Sequence, residues 1–173
     1  MVALDGVLEV SSETETSVKV ADILMDYKVR AAQTPSGIAV HEWRLGPRRL
    51  GAPPHRHEHE DEIFYVLEGE VTVMQDDEIA TAGPRSYVVL PRGHFHSFWN
   101  AGDEEARMLV ILGPGRLETY FEKTSRLFAE GELPDMAEMG RLMQEYGLTM
   151  QFERLPEIMA RYNLESSVPA PPQ

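Results

Sequence analysis

The sequence predicts an all-β domain with an extended arm at its N-terminus and a helical extension at its C-terminus. Between Tyr27 and about Leu112, short runs rich in Val, Ile, Phe and Tyr alternate with clusters of Gly, Pro and Asp. This spacing is typical of a β-sandwich or β-barrel. After Gly113-Pro114-Gly115, apolar residues recur at helical intervals instead. The chain has 173 residues, which is room for one ordinary domain.

The predicted elements follow in order along the chain. Residues 1–26 are acidic and rich in Ser and Thr, with weak strand character at Val18, Val20 and Ile23, and we expect them to form an extended arm. Residues 27–115 should form the barrel. Its predicted strands are 37–45, 62–67, 70–75, 78–81, 87–90, 96–100 and 107–112.

Residues 116–165 are predicted to be a helical extension that packs on the barrel. Apolar residues at helical spacing begin at Leu117, a second helical stretch follows Pro134, and a third follows Pro156. We expect the methionines between 136 and 150 to pack against the outside of the barrel. A role for these helices as a lid over a site stays open. Residues 166–173, with three prolines, are predicted to be a flexible tail.

Composition narrows the classes of partner. Sixteen basic residues against twenty-nine acidic ones give a net charge of −13, which disfavours phosphate backbones and anionic lipid. We therefore expect neither nucleic acid nor a membrane as partner. The chain has no cysteine, and its first ten residues carry Asp5 and Glu9 where a signal peptide would be basic. The longest purely apolar run, 108–112, is far shorter than the roughly 20 residues that span a bilayer. These features predict a cytoplasmic protein.

A candidate metal site lies around residues 53–62. His55 and His57 are two residues apart, so on an extended backbone their side chains point to the same side. A turn could bring Glu62 back toward them, and His96 at the start of a later strand is a fourth candidate. Three imidazoles and one carboxylate suit one divalent transition metal per chain: Fe, Ni, Mn, Cu or Zn. Spacing alone leaves a solvated polar loop as the alternative.

Three neighbouring residues are candidates for a substrate pocket. Alternation places His41 on the same strand face as Trp43, where it would be either a pocket residue or a hydrogen-bonded core histidine. Phe64 shares a face with Glu62, and Phe98 shares a face with His96. Both phenylalanines could form an aromatic pocket wall, and plain core packing is the alternative.

Two motifs resemble those of the cupin superfamily. Its first motif is matched by His55, His57, Glu62 and Gly69, and its second by Pro91, Gly93, His96 and Asn100. The segment from Gly37 to Gly115 is similar to small single-cupin proteins of the quercetin-dioxygenase-like group. The chain departs from the pattern where each motif opens with glycine, because Arg49 and Arg85 occupy those positions.

The resemblance implies a double-stranded β-helix, which is a jelly-roll barrel, with the four metal ligands facing inward. It also implies a homodimer in which the N-terminal arm adds a strand to the partner's sheet. The expected function is that of a metal-dependent dioxygenase acting on an aromatic or enol-type small molecule, with Glu62 as a ligand or as the catalytic base. Two alternatives stay open: a non-redox cyclase, isomerase or decarboxylase of a polyketide-like substrate, and a cupin that binds a small ligand without turnover.

Overall fold

The computed structural model describes residues 16–128 and 135–165, which form eleven strands and three α-helices. The strands are β1 (Thr16–Val20), β2 (Ile23–Val29), β3 (Ala39–Leu45), β4 (Arg49–His57), β5 (Asp61–Glu68), β6 (Val71–Gln75), β7 (Glu78–Ala82), β8 (Tyr87–Leu90), β9 (His96–Asn100), β10 (Ala106–Gly113) and β11 (Leu148–Met150). The helices are α1 (Leu117–Phe128), α2 (Met136–Glu145) and α3 (Leu155–Tyr162). No helix in the described residues is long and apolar enough to cross a membrane.

The strands form two antiparallel sheets. One sheet has six strands in the order β1-β2-β3-β10-β5-β8, and the other has five in the order β11-β4-β9-β6-β7. Aromatic side chains from both sheets meet in the core: Phe64 of β5 lies 5.1 Å from Phe98 of β9, and Trp43 of β3 lies 5.8 Å from Phe98, measured between ring centroids. The sheets are therefore the two walls of one barrel.

Alternation along the strands determines which residues enter this core. In β3 the inward residues Ala39, His41, Trp43 and Leu45 are buried, and the residues between them are half-buried. This is the face that the sequence predicts. In β5 the same period buries Glu62 beside Phe64, so a carboxylate enters the interior. Each predicted barrel strand is present, with ends that differ by at most two residues.

Strand β4 was not predicted, although it carries two of the candidate ligands. Pro53 and Pro54 lie within it, and proline is usually excluded from a central strand because it cannot donate to the ladder. The pairing of β4 with β9 accommodates them through register irregularities on either side of Ala52. The strand thus forms in spite of its two prolines because its pairing is irregular, and the local sequence pattern does not show this.

The N-terminal hairpin belongs to the chain's own six-stranded sheet. β1 pairs with β2, and β2 pairs with β3, so the predicted boundary between residues 26 and 27 lies inside β2. The first fifteen residues of the predicted arm and the predicted tail at 166–173 lie outside the described residues. The exchange of an arm between two copies, and with it the homodimer, stays a prediction.

Arg85 takes over the conformation of the glycine that opens the second motif in the family. Its φ is +70°, in the left-handed region, and its backbone N–H donates to the carbonyl of Val66 at 2.8 Å. Arg49 has no such role, because it is the first residue of β4. The departure from the family motif therefore leaves the second turn intact.

Two of the contacts that join the C-terminal extension to the barrel lie at α1 and at β11. At the start of α1, the buried carboxylate of Glu118 accepts a hydrogen bond from the N–H of Ala31 at 3.0 Å, and the hydroxyl of Tyr27 donates to the Glu118 carbonyl at 3.1 Å. Further on, β11 adds to the edge of β4 and so extends the five-stranded sheet. This strand was not predicted, because three residues are too few for alternation to show.

Candidate metal centre

Four buried side chains from three strands converge between the two sheets. His55 and His57 come from β4, and His55 is paired directly with His96 on the neighbouring strand β9. Glu62 comes from β5, in the opposite sheet, because the chain crosses from one sheet to the other at residues 58–60. The turn that the sequence permits thus exists, and it brings the carboxylate to face the imidazoles.

The distances fit a single small ion. One ligand atom from each of His55, His57, Glu62 and His96 lies within 4.8 Å of the others. The ring centroid of His55 lies 4.8 Å from that of His57 and 4.4 Å from that of His96. The Nε2 atom of His96 is 3.4 Å from a carboxylate oxygen of Glu62. A set of three imidazoles and one carboxylate is a donor set for divalent first-row metals, so this cluster could hold one.

Backbone carbonyls orient two of the imidazoles. Nδ1 of His55 lies 2.8 Å from the carbonyl oxygen of Pro53, and Nδ1 of His96 lies 3.3 Å from that of His94. When Nδ1–H donates to a carbonyl, Nε2 carries the free lone pair, which is the usual arrangement of a metal-bound histidine. Within the described part of the chain, Nε2 of His96 is a buried atom without a hydrogen-bond partner. A metal ion would satisfy it.

The environment keeps His55 and His57 neutral. Burial, aided by neighbouring His96 and His57, lowers the pKa of His55 well below its ordinary value. Burial lowers the pKa of His57 to about 4, although the Glu62 carboxylate opposes this shift. Neutral imidazole is the form that binds metal, so these two residues can bind a cation at neutral pH without first releasing protons.

The cluster opens into a cavity of about 210 Å³. His55, His57 and Glu62 line one end of it, and His96 lies behind them. The rest of the lining is almost entirely apolar and comes from β1 to β4, β9, α1, α2 and the segment around β11. Water and ions therefore have few partners in the cavity away from the cluster.

The three predicted pocket residues occupy different places. Phe98 lines the cavity. Phe64 is fully buried behind it, in contact with Trp43 and Phe98, and is not among the lining residues. His41 is also fully buried outside the lining: its ring stacks on Tyr27 at 4.2 Å, and its Nε2 lies 3.4 Å from the Glu118 carboxylate.

The prediction that the methionines of 136–150 pack on the barrel exterior is wrong. Met136, Met139, Met143 and Met150 all line the cavity. Helical spacing identifies the apolar face of α2 but not what that face covers, so the pattern alone could not place these side chains. Trp43 also lines the cavity, and its inward alternation in β3 was the signal that could have identified it.

Glu60 is a second buried carboxylate near the cluster that the sequence did not single out. It is 1% exposed, and neither carboxylate oxygen has a hydrogen-bond partner among the described residues. Burial raises its pKa to about 7, although the charge of Arg116 opposes the shift. Its place in a run of charged residues predicts a solvated turn, and only the folded structure shows that it is enclosed.

Comparison with known proteins identifies the family. Residues 41–112 match the cupin domain family, and this segment contains all four residues of the cluster. The solved structure of KdgF from a Halomonas species has a TM-score of 0.57 and 19% identity, over 66% of this chain and 99% of that chain. The predicted resemblance to the cupin superfamily and the predicted jelly-roll fold are thus confirmed.

Two curated relatives match parts of the chain. Quercetin 2,3-dioxygenase from Bacillus subtilis is 30% identical over 76 residues, which is 44% of this chain and 22% of that protein. Polyketide synthase CurC from Streptomyces cyaneus is 38% identical over 60 residues, which is 35% of this chain and 39% of that protein. The matches thus span well under half the length of either curated relative.

Proposed function

We propose that this protein is a metal-dependent enzyme, a dioxygenase that acts on an aromatic or enol-type small molecule. The observation that supports the proposal is the juxtaposition of a buried cluster of three histidines and one glutamate with an apolar cavity. One divalent transition metal per chain would be held by His55, His57, Glu62 and His96. The similarity to quercetin 2,3-dioxygenase supports the dioxygenase assignment.

The donor set fits such a metal on structural grounds. His96 contributes a buried Nε2 that has no hydrogen-bond partner in the described structure, and the lowered pKa values of His55 and His57 keep both rings neutral. A metal held there would supply Lewis acidity for a substrate oxygen and, if redox-active, electron exchange with O₂. The apolar lining would exclude bulk water from this end of the cavity.

Glu62 has the position that a general base requires. Its side chain is 1% exposed, lines the cavity and faces the imidazole of His96 across 3.4 Å. A substrate hydroxyl bound at this end of the cavity would lie beside the carboxylate, which could accept its proton. Proton transfer to a Glu62 oxygen would leave the substrate as an enolate or phenolate, which is the electron-rich form that reacts in oxygenation.

A non-redox reaction is the second candidate. The similarity to polyketide synthase CurC supports a polyketide-like substrate for such a reaction. In this case the same base would remove a proton next to a carbonyl, and ring closure or isomerisation would follow without O₂. Both candidates use the same residues, so the metal and the oxygen requirement distinguish them.

The first experiment is elemental analysis of the protein as purified, combined with oxygen uptake in the presence of flavonols and polyketide-like phenols. We expect near-stoichiometric Fe, Ni, Mn or Cu and oxygen consumption that depends on substrate. Bound Zn with substrate conversion but no oxygen uptake would instead support the cyclase or isomerase. Absence of metal even after reconstitution would contradict both enzymes and leave a ligand-binding protein.

The base role is tested by Glu62→Gln. We expect this variant to retain metal, because three imidazoles remain, and to lose turnover by about 100-fold or more, since positioned acid–base groups contribute 10²–10⁴-fold. Glu58→Gln is the matched control, because the Glu58 side chain is 72% exposed. Full activity in Glu62→Gln would rule out the base role.

A further inference from the structure

The cavity has two chemically different ends. The cluster end is made by β4 and β5, within the segment that matches the cupin family. Another part of the lining consists of four methionines that lie outside that segment, and we call them the methionine wall: Met136, Met139, Met143 and Met150. Three of them come from α2 and one from β11.

No cation faces the cavity at the methionine wall. Neither lysine nor arginine is among the described residues that line it. The residues outside the described ranges contain no lysine or arginine in their sequence. An anionic group bound against this wall would therefore lose its hydration and gain no positively charged partner. This is strongly unfavourable. An anionic group on the substrate is thus disfavoured at the methionine wall.

The size and lining of the cavity favour a fused ring system. Its volume of about 210 Å³ exceeds the roughly 150 Å³ of an apolar cavity that binds benzene, so more than one ring fits. Trp43, Phe98 and Phe121 supply aromatic faces and edges. Methionine sulfur makes favourable contacts with aromatic rings, and the unbranched side chain adapts to a flat ligand.

The methionine wall has a defined position relative to the cluster. β11 pairs with β4 so that Met150 lies opposite His55 and Leu148 lies opposite His57. Two further hydrogen bonds flank this pairing. The N–H of Gln151 donates to the carbonyl of Pro54 at 2.8 Å, and the N–H of Glu58 donates to the carbonyl of Gly147 at 2.9 Å. Met150 is therefore adjacent to His55, and α2, which carries the other three methionines, packs against β11.

We propose that the methionine wall selects the substrate: it binds an uncharged, flat system of two or three fused rings and rejects the same skeleton when that end carries a carboxylate, sulfate or phosphate. The oxygen donors of the substrate then face the cluster end. That orientation rests on the proposed function, whereas selection by the wall depends only on the lining of the cavity.

The test compares the binding of 1,8-dihydroxyanthraquinone with that of its 3-carboxylic acid by calorimetry. The full-length protein is used as purified, under anaerobic conditions that prevent oxidation, and again after chelation. We expect the uncharged compound to bind at least about tenfold more tightly in both states. Equal or tighter binding of the carboxylic acid to the chelated protein would overturn the proposal.

Lysine substitutions in the wall give the sharper measurement. Met143→Lys should tighten binding of the carboxylic acid by about tenfold and weaken binding of the uncharged compound. Met136→Lys repeats the test where folding is not at risk, because Met136 is 52% exposed. Met159→Lys is the matched control, since Met159 lies on α3 and does not line the cavity. Identical changes in all three variants would overturn the proposal, because a general effect of charge would then suffice.

Failure of this proposal is distinguishable from failure of the proposed function. A protein that contains no metal but prefers the uncharged compound, and reverses that preference in Met143→Lys, supports selection by the wall and contradicts the metal-dependent enzyme. A protein that contains stoichiometric metal and consumes oxygen, but binds both compounds equally in every variant, contradicts selection by the wall alone.

Discussion

The cluster end and the methionine wall of the same cavity differ in origin and in chemistry. The cluster end is assembled from central strands of both sheets, with ionisable side chains whose orientation is determined by backbone hydrogen bonds. The wall is assembled from α2 and the short edge strand β11, with apolar and flexible side chains. The segment that matches the family contains the first and ends before the second. We therefore expect reaction chemistry and substrate selection to be located in separate segments.

This separation predicts that changes at one end leave the other intact. Variants of the cluster should alter metal content and turnover without altering the preference for uncharged rings. Variants that loosen the C-terminal extension should alter ligand binding and stability with little effect on metal content. Four substitutions follow, placed at the cluster, beside the cluster and where α1 meets the barrel. The effects that we expect decrease from the first to the last.

The largest effect is expected for His96→Ala. It removes a ligand that is 1% exposed, and we expect metal affinity to fall by more than about 100-fold, because loss of even a partner of a metal ligand costs 10–100-fold. Elemental analysis after dialysis measures this. His94→Ala is the matched control, since the His94 side chain is 52% exposed and hydrogen-bonds Asp76. Stoichiometric metal in His96→Ala would contradict the ligand assignment.

Glu60→Gln should change the pH dependence of stability. The folded pKa of about 7 lies above the ordinary 4.5, so the folded protein holds a proton that the unfolded chain has released between these values. The free energy of unfolding of the wild type therefore falls as the pH rises through this interval, whereas Gln does not titrate. We expect the stability of the variant relative to wild type to increase by about 2 to 3 kcal/mol between pH 4 and pH 8.

Urea denaturation of both proteins at several pH values measures this difference. Glu58→Gln, at an exposed carboxylate in the same turn, serves as the control for the loss of one negative charge. A difference between Glu60→Gln and wild type that is constant from pH 4 to pH 8 would show that Glu60 is not held protonated in the folded protein.

Gly51→Ala tests how closely the cavity wall is packed at the cluster end. A Cβ at this position would lie 2.1 Å from the ring of Phe98, so the ring must move. We expect the free energy of unfolding to decrease by about 2 kcal/mol, as overpacking of a core usually costs 1–3 kcal/mol. Gly83→Ala is the control, because no heavy atom lies within 4 Å of its added Cβ. Equal stability of the two variants in urea would show that the Phe98 ring moves without lowering the free energy of unfolding.

The smallest effect is expected where α1 joins the barrel. Glu118→Ala removes the acceptor of the Ala31 N–H inside the protein and should destabilise it by about 1.5 kcal/mol, since hydrogen bonds to charged groups contribute roughly 1.5–3 kcal/mol. Glu122→Ala, on the same helix, breaks a partly exposed ion pair with Arg30 and should cost less than about 1 kcal/mol. Thermal unfolding compares the stability of the two variants. A larger loss of stability in Glu122→Ala would show that the ion pair with Arg30, and not Glu118, is the main attachment of α1 to the barrel.

The sequence predicted the barrel and the cluster well because both leave local signals. Period-two alternation marks β3 and β5, and the spacing of His55 and His57 places both on one strand face. The sequence did not predict β4 and β11, which are neighbours in the five-stranded sheet. The prolines in β4 concealed a central strand, and the three residues of β11 are too few to show any period.

The sequence by itself thus determined which residues form strands and helices and which four can meet, because these properties depend on neighbours a few positions apart. Only the tertiary structure decided what each apolar face covers. Met139 and Met143 have the same helical spacing whether they pack on a barrel or line a cavity. Glu60 lies in a run of charged residues typical of a solvated turn, yet the folded chain buries it. Burial and cavity lining depend on segments far apart in the chain, and no local pattern encodes their arrangement.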